Sequence, residues 1–511
     1  MDFSTRTDRF FQFVSEQSGR SQRGFWIGFG LIALLQVLVL PFNPLPWFDE
    51  VYFADVSLSL VETGQMKLRM LPSAVKGEVL FYGPVYFYLQ ALITKAIGLD
   101  IFQFRLLNFV SGMGLVLLFR QFLRAFGFRP FEFQVLPLLL FVTPVFWQNM
   151  HSGRMDLLAT LAGFGGLYFL LQSWKSKQLS PAFWAGLLVS VSFLTTPRMI
   201  FMLVPLGLLS LLLLPSWQWK SFFLFALAAL APVLAWFFWK FDSLDAYLAM
   251  FQGGAVGRHI GIYGEDSVFF RYPALYPVYG LVILACRDLW RKDLLKNLEG
   301  RLRLFAFLVI VLFHLVVVER GPYSAMVLVF YLLFIALGLR ETDLFAWRKW
   351  TGLASLLCLV GYLGMQSAKV GLILSQLDDR RPDRFVQQFQ SPNLRDQRVV
   401  ASFEYYYELK KQGVRFCPYQ IPVDARDKVK YQLDTFQCAY MLVSRQDLNS
   451  HTILEYLNTG QFAEAKQWRS EKKIHAPALV PGPAEEGGFQ YSLNSYQGIL
   501  FRRKPLGVGQ P

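Results

Sequence analysis

The sequence predicts a polytopic α-helical membrane protein that carries a small C-terminal α/β domain. Three observations predict it. Hydrophobic residues make up 54% of the 511-residue chain and charged residues only 17%, against roughly 45–50% and about 25% in soluble domains. The apolar residues gather in runs that recur from Trp26 to Met365, close to the roughly 20 residues a membrane-crossing helix needs. Beyond Lys369 the runs stop, and short strand-like and charged segments take their place.

Residues 1–24 are polar, with Arg6, Arg9, Arg20 and Arg23, and no small-residue cleavage pattern follows the first apolar run. They read as a cytoplasmic tail before a retained anchor, with Phe10, Phe13 and Val14 suggesting a short interfacial helix. Residues 25–368 form the membrane domain, with a first outer loop at 41–101. Its eleven expected spans are Trp26–Leu40, Phe102–Phe119, Phe133–Trp147, Leu157–Leu171, Ala182–Leu194, Met199–Leu214, Phe222–Phe238, Leu275–Cys286, Leu304–Val318, Tyr323–Leu339 and Thr351–Met365. Several are short and must extend into their flanks to cross.

Val79–Gly98 is apolar enough to cross but carries Tyr82, Tyr86, Tyr88, Gln90 and Lys95. If it lies in the outer interface, the short inner loops hold the larger share of Lys and Arg, as the positive-inside rule asks. The cluster Arg287, Arg291, Lys292, Lys296, Arg301 and Arg303 contributes most to that preference. The N-terminus is then cytoplasmic. The polar turns at 151–156, 195–198, 240–273 and 319–322 share the outer face with the first loop.

Residues 369–511 are expected to form an extracytoplasmic α/β domain and tail. The charged linker Asp378–Arg384 leads to strands at Arg398–Phe403, Arg415–Tyr419, Ala439–Ser444 and Gly498–Arg502, with helices at Glu404–Gln412 and Asn449–Thr459. The four cysteines are too few for a disulfide framework. Cys286 and Cys358 read as buried thiols, while Cys417 and Cys438 are open to pairing. The net charge of +14 lies mostly between apolar runs, where it orients the chain and meets anionic lipid headgroups. It forms no basic, aromatic-interleaved module, so nucleic acid is not expected as a partner; membrane lipid is.

Acidic groups at a membrane boundary carry a desolvation cost, which makes Asp49-Glu50 a candidate site. Phe48-Asp49-Glu50 follows the first span, Tyr82-Gly83-Pro84-Val85-Tyr86-Phe87-Tyr88 lies in the first loop, and Gly153-Arg154-Met155-Asp156 follows the third. Gly257-Arg258-His259 and Gly321-Pro322-Tyr323 come later on the same side. In order and sidedness these motifs resemble the GT-C membrane glycosyltransferases. The nearest branch contains protein O-mannosyltransferases and the transferases that add aminoarabinose to lipid A. Relatives often place Lys or His before a Pro-Pro pair where Tyr82-Gly83-Pro84 stands here, so a cation expected to meet the donor phosphate is missing at that position.

The resemblance implies transfer of a sugar from a polyprenyl-phosphate donor to a hydroxyl of an envelope lipid, glycan or protein, with inversion and no required cofactor. A carboxylate suits the proton transfer from the acceptor, and cations suit the departing phosphate. Asp49, Glu50 and Asp156 are the candidate catalytic acids, with Asp49 as base. Arg154, Tyr82, Arg258, His259, Arg320 and Tyr323 are the candidate substrate-binding residues, with Arg198 a further cation. A divalent metal near Asp49 and Asp156 is left open.

Each assignment has a plainer reading. Glu50 caps a helix or positions an arginine, Asp156 caps the fourth span, and Arg154 pairs with Asp156. His259 bonds at the interface, His314 packs within its span, and Tyr82–Tyr88 mark an aromatic belt. Two other functions compete: a lipid-linked sugar transporter, which would place ionisable groups at mid-membrane, and a non-catalytic polysaccharide-assembly protein. No Asn-x-Ser/Thr sequon occurs, which favours a bacterial cytoplasmic membrane.

Overall fold

A computed structural model describes residues 18–70, 82–241, 243, 245–247, 275–286, 295–317, 323–341, 345–381, 394–418, 438–444, 462–468 and 498–503. Among these, every expected span coincides with helix. In chain order the helices are α1 (Ser18–Val39), α2 (Phe48–Thr63), α3 (Pro84–Ile97), α4 (Ile101–Ala125), α5 (Pro130–Val142), α6 (Pro144–Met150), α7 (Asp156–Ser176), α8 (Leu179–Thr195), α9 (Ile200–Leu213) and α10 (Trp219–Lys240). Then come α11 (Tyr276–Cys286), α12 (Leu298–Val316), α13 (Ser324–Glu341) and α14 (Phe345–Ser375).

Among the described residues six helices are long and apolar enough to cross a membrane by themselves, or seven with α5 and α6 taken as one span bent by 64°. The bend falls at Thr143-Pro144, where the proline forces Thr143 out of the helical region (ψ 130) and removes a backbone donor. α8 and the Ser324–Arg340 stretch of α13 are apolar but shorter. The expected count of eleven crossings is therefore not established by length and composition. α1 begins at Ser18, inside the stretch read as a tail.

α13 is the axis of the bundle: every residue from Tyr323 to Leu339 is buried, as expected of a helix apolar all round. Leu31, Leu34, Leu227, Leu230, Leu357 and Val360, on α1, α10 and α14, stay exposed. Helices that leave large aliphatic groups outward in this number present them to lipid.

The described part of the first loop holds two helices. α2 places Asp49 and Glu50 in its first turn. α3 covers most of Val79–Gly98 with 14 residues, about 21 Å of rise, short of the roughly 30 Å hydrocarbon core.

The C-terminal residues form a five-stranded sheet in the order β2-β1-β3-β5-β4. Its elements are β1 (Arg398–Ala401), α15 (Tyr406–Lys411), β2 (Arg415–Pro418), β3 (Tyr440–Ser444), β4 (Phe462–Trp468) and β5 (Gly498–Arg503). β1 runs parallel to β2 and β3, and β5 antiparallel to β3 and β4. β4 was not expected, because its Ala, Glu, Lys and Gln read as helix-forming or polar; charge on an edge strand instead blunts pairing with other chains. The expected helix Asn449–Thr459 lies outside the described residues. Cys417 and Cys438 are buried free thiols, and Cys286 and Cys358 are half-buried ones.

Two cores result. One fills the bundle, and the other joins α2, α3 and the start of α4 to Phe403–Leu409 and the sheet. In the second, Phe48 meets Phe403 at 5.3 Å and Phe104 meets Tyr407 at 6.1 Å. Asp55, fully buried, ties the layers together. It accepts from the Arg69 and Met70 backbone N–H groups at 2.6 and 2.8 Å and from the Tyr406 hydroxyl at 3.1 Å.

Candidate active site

The site is assembled where three turns meet the first turn of α2. Two motif glycines make the meeting possible. A Cβ on Gly153 would stand 2.2 Å from the Phe104 ring and 3.0 Å from Glu50 Cγ, so only glycine lets the 151–155 turn lie against α4 and α2. A Cβ on Gly83 would stand 1.7 Å from the Leu194 carbonyl oxygen. The first loop thus touches the end of α8 backbone to backbone, which sets Tyr82 beside Arg198 in the following turn.

Asn108 and His151 hold the first of these turns. The Asn108 amide donates to the Asn149 and Ser152 carbonyls at 3.0 and 2.7 Å. His151 Nδ1 lies 3.1 Å from the Asn43 carbonyl oxygen. Burial, with Lys369 and Arg105 nearby, pushes His151 well below its ordinary pKa and keeps it neutral.

Arg154 is the centre of the site. Its Nε donates to Asp156 Oδ2 at 2.5 Å, and its Nη1 donates to Asp49 Oδ2. The guanidinium also lies 4.4 Å from the Tyr323 ring centroid and 5.3 Å from that of Trp47, at cation–π range. Burial works against the charge, but Asp156, Tyr323 and Asp49 outweigh it and raise the Arg154 pKa well above its ordinary value. The guanidinium is a permanent cation shared by two carboxylates.

Those carboxylates differ. The Asp156 side chain has no exposed surface, whereas that of Asp49 is 11% exposed. Asp156 is the first residue of α7 and does not cap it; there it complements the helix dipole. Each carboxylate has an Oδ1 with no hydrogen bond from the described residues, but that of Asp156 is buried, and only the Asp49 carboxylate belongs to a partly exposed side chain.

Glu50, expected among the catalytic acids, is placed differently. It has no exposed side-chain surface, and both its oxygens accept from Arg105 at 2.8 Å. Arg105 also donates to the Leu40 and Pro44 carbonyls at 2.9 and 2.8 Å. The pair locks the start of the first loop to α4, and Glu50 cannot reach a substrate without breaking it.

Across Tyr323 stands Arg198, half-buried in the short 3-10 turn Pro197–Met199. Its guanidinium lies 4.3 Å from the Tyr323 centroid and 5.5 Å from that of Tyr82, and Nη2 approaches the Tyr82 hydroxyl at 3.5 Å. No described carboxylate pairs with it. Asp49, Arg154, Asp156, Tyr82 and Tyr323 are thus brought together with Arg198. Arg258, His259 and Arg320 lie outside the described residues.

The metal that the sequence left open meets an obstacle here: Arg154 already bridges Asp49 and Asp156. Among the described residues no group of three or more His, Cys, Asp or Glu gathers to hold an ion. The sequence reading missed Arg105 and Asp55. Both had a signal, a single charge inside an apolar run (Gln103-Phe104-Arg105-Leu106, Phe53-Ala54-Asp55-Val56), which buries only if it is paired.

Fold and site together define a polytopic membrane protein with a carboxylate–guanidinium centre at one end of its bundle. No protein-family model matches the sequence, and no curated protein does. In three dimensions the chain is similar to ArnT from Cupriavidus metallidurans. The crystal structure of that protein bound to undecaprenyl phosphate is 14% identical, with a TM-score of 0.58 over 96% of this chain and 99% of that one. The apo crystal structure is 13% identical, with a TM-score of 0.58 over 94% and 98% of the two chains. At such identity the likeness shows the fold, and it is the GT-C fold that the order of the motifs implied.

Proposed function

We propose that the chain is an integral-membrane glycosyltransferase that moves a sugar from a polyprenyl-phosphate donor to a hydroxyl at the outer face of a bacterial cytoplasmic membrane. The acceptor class is an envelope lipid, glycan or protein, and the sheet domain lies on the same, extracytoplasmic side. One observation carries the reading. Asp49 is the only one of the three acids with an exposed edge, and it is fixed by Arg154, across whose Tyr323 partner stands a half-buried arginine, Arg198, that pairs with no described carboxylate. The fold shared with a protein crystallised with undecaprenyl phosphate supports the choice of donor.

The chemistry is a single displacement. The acceptor oxygen attacks the anomeric carbon and its proton passes to Asp49 Oδ1. The anomeric C–O bond breaks, and its electrons leave on the phosphate, so the configuration inverts. Asp49, held by Arg154 through the other oxygen, is aimed rather than free, which is what a base needs first. Arg198 meets the phosphate as charge develops on it, with Tyr82 and Tyr323 flanking. It supplies the cation that the Tyr82-Gly83-Pro84 segment lacks. Asp156 and Glu50 are positioning residues, acting through Arg154 and Arg105. No step calls for a cofactor.

The test is release of polyprenyl phosphate by the purified full chain from polyprenyl-phosphate sugars, with acceptors chosen from the lipid and glycan profile of cells lacking the protein. Asp49→Asn is expected to insert and fold normally and to lose nearly all transfer. Undiminished transfer by that variant would sink the assignment of the base.

A further inference from the structure

The far end of the bundle carries a second polar feature. α7 begins at Asp156 in the site, and its 21 residues rise about 30 Å, roughly the thickness of the hydrocarbon core. Lys175, in its last turn, therefore stands at the opposite membrane face. There a cleft of about 590 Å³ opens between the C-terminal ends of α4, α7 and α13 and the N-terminal end of α12, within the roughly 300–1,000 Å³ range of small-molecule sites.

Arg124, Lys175 and Arg340 line the cleft against one carboxylate, Glu299. Arg340 is committed: it pairs with Glu299 at 2.9 Å and donates to the Phe126 carbonyl at 3.0 Å. Arg124 and Lys175 are exposed, and no described carboxylate pairs with either. All three cations occupy last turns, where they offset helix dipoles. That role does not require a cavity between them. Here the cavity exists, walled by Trp174, whose indole N–H is bound to Ser216 Oγ at 2.8 Å. Asn297, the N-cap of α12, brings the positive end of that helix to the rim.

We propose that this cleft binds the phosphate headgroup of an anionic phospholipid in the leaflet opposite the catalytic site. Two cations that pair with no described carboxylate, at headgroup depth and beside an aromatic wall, form a site for a lipid phosphate. Both can close on it without breaking an ion pair among the described residues. A neutral or zwitterionic headgroup gains less, because the cleft holds more positive charge than its glutamate balances.

The delipidated full chain, titrated with phosphatidylglycerol and followed by native mass spectrometry, tests this. Wild type is expected to bind it more tightly than phosphatidylcholine. The double variant Arg124→Gln/Lys175→Gln alters exposed side chains only and is expected to bind phosphatidylglycerol roughly thirty-fold more weakly, which corresponds to about 2 kcal/mol. Equal binding by variant and wild type overturns the proposal. Inorganic phosphate competing at the affinity of the lipid also overturns it and assigns the cleft to a soluble phosphate. Both substitutions lie far from Asp49, so loss or retention of sugar transfer bears on the catalytic proposal alone.

Discussion

Asp49 and Glu50 are sequence neighbours in one helical turn, yet they belong to two different regions. Successive helix residues point about 100° apart, so Glu50 turns to α4 and Asp49 to the 151–155 turn. The Glu50–Arg105 region is closed: two oxygens meet two guanidinium nitrogens, and two loop carbonyls accept further bonds from the same arginine. The Asp49 region is open, because Asp49 shares Arg154 with Asp156 and keeps an exposed edge. The same pair of functional groups is structural in one place and available for chemistry in the other. Saturation and burial, not residue type, make that division.

The comparison can be broken from either side. Asp49→Asn is expected to lower transfer about 10²–10⁴-fold, the usual worth of a positioned base, with an unchanged thermal midpoint in detergent. Arg105→Met is expected to cost about 3–5 kcal/mol of stability by leaving Glu50 buried and unpaired. A wild-type unfolding midpoint in that variant would show that the closed region is not structural. Gly83→Ala should cost about 1–3 kcal/mol, because the new methyl meets a backbone carbonyl that cannot turn aside; a crystal structure with Tyr82 and Arg198 undisturbed would contradict it.

A milder effect comes from Arg198→Lys, which keeps the charge and loses the planar fork. It should weaken binding of undecaprenyl phosphate about ten-fold, near 1.4 kcal/mol, and a calorimetric titration reads it directly. The smallest is a pH effect. His151 is held neutral in the folded chain, while in the unfolded chain it gains a proton near its ordinary pKa of about 6.5. The unfolded state therefore binds more protons below that pH. Stability should fall as pH drops, by about 1.4 kcal/mol per unit at most. His151→Gln, which cannot titrate, should flatten that part of the profile.

Much of this was legible in the sequence. Apolar runs located the helices, because burial in lipid requires them whatever their neighbours. The order of the short motifs pointed to Asp49, Arg154, Asp156, Tyr82 and Tyr323, which the structure brings together. Partnership was not legible: Glu50 meets an arginine 55 residues away, and Arg198 meets Tyr82 across 116. Pattern reading assigns a residue to a face of its own helix and says nothing about which distant turn arrives there. Arg105 and Asp55 show the limit: a lone charge in an apolar run announces a partner without naming it.

Asp55 also has a consequence for how the chain is made. Two of its hydrogen bonds come from Arg69 and Met70, just behind it, but the third comes from Tyr406, 351 residues later. Membrane helices enter the bilayer in the order of synthesis, so the first loop waits through nearly the whole of translation for that hydroxyl. A product cut short before the sheet domain lacks Tyr406, so the carboxylate and the aromatic face around it stay uncovered. The last domain in this sense completes the hydrogen bonding and the core of the first loop.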